Sequence, residues 1–505
     1  MLDVLARIND SVNEFVWVSI GLFLLIGTGI LTTAITKVFQ VTHFGHWMKK
    51  TIGSVFRKDV ISHTKEKGAI SQFQSLCVAL SATIGTGNIA GVSAAIAFGS
   101  AGSIFWMWLA AFFGMMTNYS ENVLGIFYRR RNAEGEWSGG AMYYLKDGLG
   151  SKKGLKKVGI VLAVLFSGFA VLASFGIGNM GQVNKIVLNI RSAFPIDALD
   201  TTLYGDITVY NLVLGLILVI LAAVIILGGL KRIASFAEKI IPFMVLFFMV
   251  GSLIVIFKNI SNVGAAFEAI FKFAFTKEAA WGGAVGVSIK TIVTWGFKRG
   301  VFSNEAGLGS SVMVHSNSDV VEPVQQGMWG IFEVFTDTMI VCTITALVIL
   351  TSGVVDINTG VLQEGLSDAT LASAAFRTVF GEWGEKLVAI CLFMFAFTTI
   401  LGWSHYGSKS MEYLFGTKAV KGYKIVFTLM IVSGALMTSS IAWDISDTFN
   451  GLMMIPNLIG VIVLSGTVRK ITKNYIDRNL KGQKVEPMLS AIPEIQAESV
   501  KKLAE

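Results

Sequence analysis

Hydroxyl and amide side chains stand among glycines in the middle of a long apolar stretch, residues 71–99. The centre of this stretch reads Ser81-Ala82-Thr83-Ile84-Gly85-Thr86-Gly87-Asn88. Glycine lets the backbone leave helical angles, and a helix that breaks inside a membrane exposes peptide groups that lipid cannot satisfy. Such a break persists where it lines a cavity, because freed N–H groups hold an anion and freed carbonyls hold a cation. The pattern therefore indicates a binding site for a small zwitterion and a cation.

The same glycines are also compatible with a flexible kink, or with a face of small residues for close helix packing. Residues 81–88 contain no carboxylate to meet a substrate ammonium and no Arg or Lys to meet an acidic side chain. Backbone carbonyls and hydroxyls would then hold the ammonium group. A neutral substrate is favoured for this reason.

A second polar stretch interrupted by glycines lies in another apolar segment, residues 281–311. It contains Lys298, Arg299 and Glu305. Charges at membrane depth are costly and usually face water, a cavity or each other. These three residues are candidates for a cytoplasmic gate or a cation path. The alternatives are a structural ion pair, or side chains that reach the inner interface.

Polar groups in two further apolar segments are candidates for the same site. The amide of Gln182 donates and accepts, so it suits a substrate, although a bond to a neighbouring helix explains it equally well. Thr398 and Thr399 lie one turn before Trp403, and residues at i and i+4 share a helix face. The hydroxyls suit a sodium site and the indole suits a pocket wall. Alternatively, the hydroxyls bond back to their own helix.

Composition defines the elements that must position these residues. The chain has 505 residues, of which 53% are hydrophobic and 15% charged. Several apolar runs reach about 20 residues, the length that spans a bilayer as a helix. An all-α integral membrane protein surrounded by lipid is predicted, and the net charge of +8 is not read as a nucleic-acid signal. No catalytic motif is present, which predicts that the chain is not an enzyme.

The three cysteines lie far apart in apolar runs, at Cys77, Cys342 and Cys391. Neither a CxxC pair nor a Cys/His cluster occurs. We therefore predict no disulfide framework and no Cys/His metal site.

Eleven membrane-spanning helices are predicted. They cover residues 11–38, 70–99, 103–129, 156–190, 208–230, 234–257, 281–311, 326–352, 384–410, 422–441 and 444–468. Lys and Arg concentrate in alternate loops, which places those loops in the cytoplasm, the N-terminus outside and the C-terminus inside the plasma membrane. The loop 312–325 is an exception, because it should be cytoplasmic and has no Lys or Arg.

The two interrupted spans are the second and the seventh, five helices apart. Interrupted segments at matching positions of two halves are typical of an inverted-repeat transporter. The predicted organisation is one helix with a basic segment (1–69), two five-helix repeats (70–257 and 258–468) and a cytoplasmic tail (469–505).

The chain resembles the alanine/glycine:cation symporter family, and the similarity runs from the second predicted span to about residue 468. Five motifs carry it in order: SATIGTGNIAGV at 81–92, GSIFWMW at 102–108, SGGAMYY at 138–144, GNMGQ at 178–182 and FSNEAGLGS at 302–310. The resemblance implies the leucine-transporter fold, with five plus five inverted helices and one extra N-terminal helix. It also implies sodium-driven import of a small neutral amino acid such as alanine or glycine, without an organic cofactor.

The resemblance also implies roles for individual residues. The amino acid would be held by Thr83, Gly85, Thr86, Gly87 and Asn88, with Gln182, Thr399 and Trp403 completing the pocket. The main sodium site would consist of the Ser81 and Ile84 carbonyls and the Thr398 and Thr399 hydroxyls, and a second site would involve Thr83 and Asn88. Alternatives are a preference for glutamine or serine, and proton coupling through Glu305. A channel is disfavoured, because the polar groups form a pocket on broken helices.

Overall fold

The computed structural model of the chain describes residues 2–55, 64, 66, 68–275, 278–279, 287–368, 370–437 and 440–504. These residues are mostly helical. The longer helices are α1 (Arg7–Ile35), α2 (Gln72–Thr83), α3 (Ala90–Gly99), α4 (Ser103–Tyr128), α5 (Lys156–Ala193), α6 (Val209–Ile226), α7 (Gly229–Lys258), α8 (Val263–Phe275), α9 (Ile289–Asn304), α10 (Pro323–Thr351), α11 (Leu371–Phe380), α12 (Glu382–Phe415), α13 (Thr417–Ala435), α14 (Ser440–Asn479) and α15 (Pro493–Ala504).

Short elements connect these helices. Short helical segments occur at Phe39–Thr42, Phe44–Lys50, Ala141–Tyr143 and Val312–His315. The strands pair as small antiparallel ribbons in the loops. They are Arg130–Arg131 with Trp137–Ser138, Thr202–Tyr204 with Ile207–Thr208, and Glu278–Ala279 with Val287–Ser288.

Within the described residues, seven helices are long and apolar enough to cross a membrane: α1, α5, α6, α7, α10, α12 and the Asp447–Asn479 part of α14. The pair α2–α3 counts as an eighth span, bent by 60° at its break. The remaining predicted spans correspond to α4, α9 and α13, so a total of eleven stays a prediction. The predicted seventh span began at residue 281, but residues 281–286 lie outside the described part, and α9 has 16 residues.

Helices α1, α5 and α10 each contain a π turn, and the turns in α5 and α10 lie beside candidate site residues. The turn Gly176–Met180 divides α5 before Gln182, and the turn Phe335–Cys342 divides α10 and contains Asp337. Wider turns of this kind leave backbone groups less regularly paired and occur often at functional sites. Together with the α2–α3 break, the turns in α5 and α10 place irregular backbone in three helices at the centre of the protein.

Packing divides the helices into two groups. The bundle helices are α2–α3, α4, α9 and α10; α4 lies against α9 and α10, and α9 lies against α3. The scaffold helices are α5, α6, α12 and α13, with α5 packed on α12 and α6 on α13. Helix α12 also packs on α2, so the broken helix lies between the two groups.

Large apolar side chains are exposed along the outer faces of several helices. On α7 these include Phe243, Leu246 and Phe257, which are 57%, 63% and 67% exposed. Contiguous exposed apolar surface marks a membrane or partner contact in a folded protein. The apolar faces fit the predicted contact with lipid.

The tail after α14 folds back along the protein. The Ala491 amide donates to the Phe127 carbonyl over 2.9 Å. In α15, Glu498 lies 3.4 Å from Arg131, and Lys502 lies 3.4 Å from Glu66. The tail therefore contacts the end of α4 and the segment that precedes α2.

Candidate functional site

The break between α2 and α3 is stabilised by a side chain from within it. Helix α2 begins with a capping box between Ser71 and Gln74 and ends at Thr83. Gly85 then takes an extended conformation, with φ −132° and ψ −150°. The Gly85 amide donates to Asn88 Oδ1 over 2.9 Å, which replaces a helical bond that the break has removed. Asn88 thus fixes the shape of the break.

A small cavity lies against this break, with room for about one water molecule. It is lined by Ala82, Thr83, Gly85, Thr86, Gly87, Ile177, Gln182, Phe302, Glu305, Thr399, Trp403 and Asn450. The lining includes seven of the eight predicted substrate residues, drawn from α2, the break, α5 and α12. The eighth, Asn88, turns away toward Asp337. That these residues bind substrate stays a prediction.

Three polar atoms of the cavity lining lack a partner among the described residues: Gln182 Oε1, the Thr86 hydroxyl oxygen and Asn450 Oδ1. Gln182 donates through Nε2 to the Ile177 carbonyl over 3.0 Å, which leaves its Oε1 without a hydrogen bond. The Thr86 hydroxyl is likewise buried and unpaired. Burying a polar group without a hydrogen bond is costly. A ligand that donates to Gln182 and binds Thr86 would remove that cost.

Glu305 contributes a carboxyl group to the cavity. It follows the end of α9 with a left-handed φ of +55°, so the chain turns sharply there. Trp403 Nε1 donates to its Oε1 over 2.9 Å, and the Ser310 hydroxyl donates to its Oε2 over 2.5 Å. The side chain is therefore held in place from α12 and from the loop after α9.

Asp337 is a buried carboxylate that sequence reasoning missed. Its Oδ1 accepts from Asn88 over 2.7 Å, and its Oδ2 accepts from Ser303 over 2.8 Å and from Thr338 over 2.7 Å. These bonds join the break to α9 and α10. The available signal was an acidic residue inside the predicted span 326–352, since intramembrane charges usually mark functional sites.

The four residues of the predicted main sodium site come together only in part. Thr399 lies against Gly85, where an added Cβ would be 2.6 Å from its hydroxyl. The Thr398 hydroxyl bonds to the Met394 and Phe395 carbonyls of its own helix. One turn further along α12, Gly402 packs against Ser81. Ile84 is fully buried at the break. Sodium binding by this set stays a prediction.

Lys298 and Arg299 lie apart from Glu305. Lys298 pairs with Asp447 over 2.7 Å, whereas the Arg299 guanidinium lies over the Trp295 ring, 4.9 Å from its centroid. Of the three residues, Glu305 lines the cavity and Lys298 pairs with a residue of α14, and their role in a gate or cation path stays a prediction.

A helical membrane fold that encloses a polar cavity at a broken helix defines the class of secondary transporters. The comparisons agree and are more specific. The model of the sodium:alanine symporter family matches residues 2–489. The chain belongs to the sodium:alanine symporter family, and it is a multi-pass membrane transporter rather than an enzyme.

Three relatives illustrate the range of the family. The sodium/alanine symporter AgcS of Methanococcus maripaludis is 42% identical over 94% of this chain and 98% of its own length. The probable sodium/glutamine symporter GlnT of Bacillus subtilis is 34% identical over 96% and 93%. The putative sodium/proton-dependent alanine carrier YrbD of the same organism is 34% identical over 94% and 93%.

Solved structures show the fold at much lower identity. MhsT in complex with L-phenylalanine is 12% identical, with a TM-score of 0.52 over 81% of this chain and 99% of that one. A Na+-coupled sialic acid symporter is 14% identical, with a TM-score of 0.50 over 97% and 96%. Both support the predicted leucine-transporter type of fold, whereas the inverted repeat and the count of eleven helices stay predictions.

Proposed function

We propose that the protein is a sodium-coupled symporter that imports a small neutral amino acid across the plasma membrane. The observation that carries this proposal is the cavity at the α2–α3 break, where Gln182 Oε1 and the Thr86 hydroxyl are buried without partners beside the Glu305 carboxyl. An amino acid has complementary groups. Its ammonium would donate to Gln182 Oε1 and to Glu305, and its carboxylate would accept from the Thr86 hydroxyl.

The lining of the cavity suits a small zwitterion in charge, and the cavity, with room for about one water molecule here, would have to open to admit one. Gln182 Oε1 and the Glu305 carboxyl would accept hydrogen bonds from the substrate ammonium. Glu305 would thereby supply the carboxyl group that residues 81–88 lack. Thr86 and the freed N–H groups of the break would donate to the carboxylate. No Lys or Arg is among the residues that line the cavity in the described structure, which favours a neutral side chain. Trp403 and Phe302 are bulky parts of the lining, which favours a small side chain.

Sodium would bind at the interface between the broken helix and its neighbours. The main site would use the Ser81 and Ile84 carbonyls with the Thr398 and Thr399 hydroxyls. When sodium occupies this site, the lone pairs of the hydroxyl oxygens would have to face the break. The hydroxyl hydrogens would stay bonded to the helix carbonyls. For the second site, near Thr83 and Asn88, we add the Asp337 carboxylate as a candidate ligand, because it is hydrogen-bonded to Asn88.

Transport would proceed by rocking of the bundle helices against the scaffold helices, with the cavity between them. One helix followed by two inverted five-helix repeats would make eleven crossings. With this number, the N-terminus would lie outside and the C-terminus in the cytoplasm. Import of one net positive charge would gain about 2.3 kcal/mol per 100 mV of membrane potential. Sodium entry would thereby drive accumulation of the amino acid.

Two alternatives within the family follow from the relatives. The name of GlnT supports a glutamine preference, and that of YrbD supports a contribution from protons. The small cavity favours alanine or glycine over glutamine. Proton coupling would persist without sodium and would be lost in Glu305→Gln if that carboxyl carried the proton.

The test is uptake of labelled alanine into proteoliposomes, with external sodium or with potassium in its place. We expect uptake only with sodium, and competition by unlabelled glycine. Uptake that continues in potassium would contradict sodium coupling. Accumulation of glutamine but not alanine would leave the fold and the coupling intact and show that the size argument is wrong.

A further inference from the structure

Glu333 and His315 form a completely buried pair away from the cavity. His315 Nε2 lies 3.0 Å from Glu333 Oε2, and both side chains are 0% exposed. Glu333 is on α10, and His315 ends the short helix Val312–His315. Neither residue lines the cavity, and the proposed transport mechanism leaves both without a role.

The pair has hydrogen-bond partners but no basic neighbour. Asn118 of α4 donates to Glu333 Oε2 over 3.4 Å. On its other side, His315 Nδ1 lies 2.5 Å from Gln326 Nε2 and 3.3 Å from the Ser75 hydroxyl. Among the described residues, no Lys or Arg is within ion-pair distance of Glu333. Its second oxygen, Oε1, is buried without a hydrogen bond.

This arrangement lacks one positive charge. If Gln326 Nε2 donates to Nδ1, the imidazole carries its proton on Nε2, toward Glu333, and is neutral. An ionised Glu333 would then leave an uncompensated negative charge in the protein interior, at a cost of several kcal/mol. One additional proton, on Glu333 Oε1 or on the imidazole, removes that charge. A proton needs no cavity, whereas a sodium ion would need a cavity beside the pair.

The remaining titratable groups around the pair are acidic or phenolic. Glu121 on α4, Glu305 after α9, Asp337 on α10 and Tyr406 on α12 all interact electrostatically with Glu333. None of these neighbours supplies a positive charge to compensate an ionised Glu333.

A chain of polar groups links the pair to the cavity. The Ser310 hydroxyl donates to Glu305, and the next residue, Ser311, accepts from Asn118 Nδ2 over 3.3 Å. Asn118 also donates to Glu333. These hydrogen bonds, with the peptide link between Ser310 and Ser311, form a short and buried polar connection from Glu305 to Glu333. A change of charge at the cavity would therefore affect the charge at Glu333.

We infer that Glu333 and His315 together hold one exchangeable proton, which is released when sodium binds near Asp337 or the cavity. A sodium ion and a proton at these two places repel each other through the low-dielectric interior. By linkage, the proton must weaken sodium binding by the same factor as sodium weakens proton binding. This inference rests on the proposed sodium-coupled transport.

The test is the sodium concentration for half-maximal alanine uptake, measured in proteoliposomes at about pH 6 and about pH 8 with the membrane voltage clamped. For the wild type we expect at least a fivefold higher value at about pH 6, the lower end of typical coupling. Glu333→Gln should make the two values equal while sodium-driven uptake continues. Asp356→Asn removes a carboxylate in an exposed loop instead, and this control should keep the wild-type difference.

The outcomes separate this inference from the proposed function. Uptake that ignores sodium at every pH contradicts the proposed function. Sodium-dependent uptake whose half-saturation does not change with pH in the wild type overturns only the proton site. A difference that persists in Glu333→Gln and disappears in Glu305→Gln would place the proton at Glu305 instead.

A direct measurement covers the case in which Glu333→Gln does not fold. Sodium is added to purified wild-type protein in weak buffer with a pH-indicator dye. We expect release of up to about one proton per chain, and His315→Gln should release fewer. No release from the wild type would overturn the inference.

Discussion

Trp403 Nε1 donates a hydrogen bond to Glu305 Oε1 over 2.9 Å, across the cavity at the broken helix. Trp403 belongs to the scaffold helix α12, and Glu305 follows the bundle helix α9. An added Cβ on Gly178 of α5 would lie 2.4 Å from the Trp403 side chain, so the indole has little freedom to move. Trp403 therefore forms a wall of the cavity and also orients the Glu305 carboxyl group.

Trp403→Phe keeps an aromatic wall but removes the hydrogen-bond donor. We expect about a tenfold rise in the alanine concentration for half-maximal uptake, because a lost bond to a charged group costs about 1.5–3 kcal/mol. Trp383→Phe is the control, since Trp383 is on the same helix and 72% exposed. Equal kinetics in the two variants would show that the bond does not support substrate binding.

Gly85 has room for no side chain at the break. An added Cβ would lie 2.6 Å from Thr399 Oγ1, closer than carbon and oxygen atoms pack. We expect Gly85→Ala to reduce alanine uptake more than tenfold, because Thr399 must leave its position. The matched control is Gly27→Ala in α1, where an added Cβ meets nothing within 4 Å. Wild-type uptake in Gly85→Ala would contradict the proposed role of the break.

Asp337 tests the second sodium site. Asp337→Asn keeps the size of the side chain and removes its charge. If the carboxylate holds sodium, the sodium concentration for half-maximal uptake should rise at least about tenfold, as expected for loss of a charged ligand. Asp356→Asn, in an exposed loop, should change nothing. An unchanged sodium requirement in Asp337→Asn would remove this residue from the proposed site.

Much of the central cavity could be predicted from local patterns. The run of glycines and polar residues at 81–88 marked the break, and the α-helical spacing of Thr399 and Trp403 put them on one face of α12. A polar residue inside an apolar segment can be noticed from the sequence alone, because burying it is costly wherever the helices pack. The assignment of eight residues to the substrate came from the family resemblance, and seven of them line the cavity.

Pairings between distant segments could not be predicted in the same way. Asn88 and Asp337 are 249 positions apart, and their bond depends on how α2–α3 packs against α10. The sequence likewise did not tell which partners Lys298 and Glu305 find. Helix α9 ends at Asn304, where the chain turns and Glu305 leaves the helix face. Glu333 and His315 meet only through the same tertiary packing.

The last prediction concerns the ion pair that joins α14 to α10. Arg478 Nη1 and Nη2 donate to the two Glu322 carboxylate oxygens over 2.7 and 3.0 Å. The side chains are 11% and 8% exposed, so the pair is largely shielded from water. Two parallel bonds in a fixed geometry are stronger and more specific than one.

Glu322→Gln should leave the Arg478 charge buried without its partner and lower the free energy of unfolding by about 3 kcal/mol. Thermal unfolding of the purified protein in detergent measures the change. Glu385→Gln is the control, because its pair with Arg377 is 35% and 60% exposed and such surface pairs contribute about 0–1 kcal/mol. Equal destabilisation of the two variants would show that burial does not strengthen the Arg478–Glu322 pair. A larger loss in Glu322→Gln would show that this buried pair stabilises the attachment of the end of α14 to the start of α10.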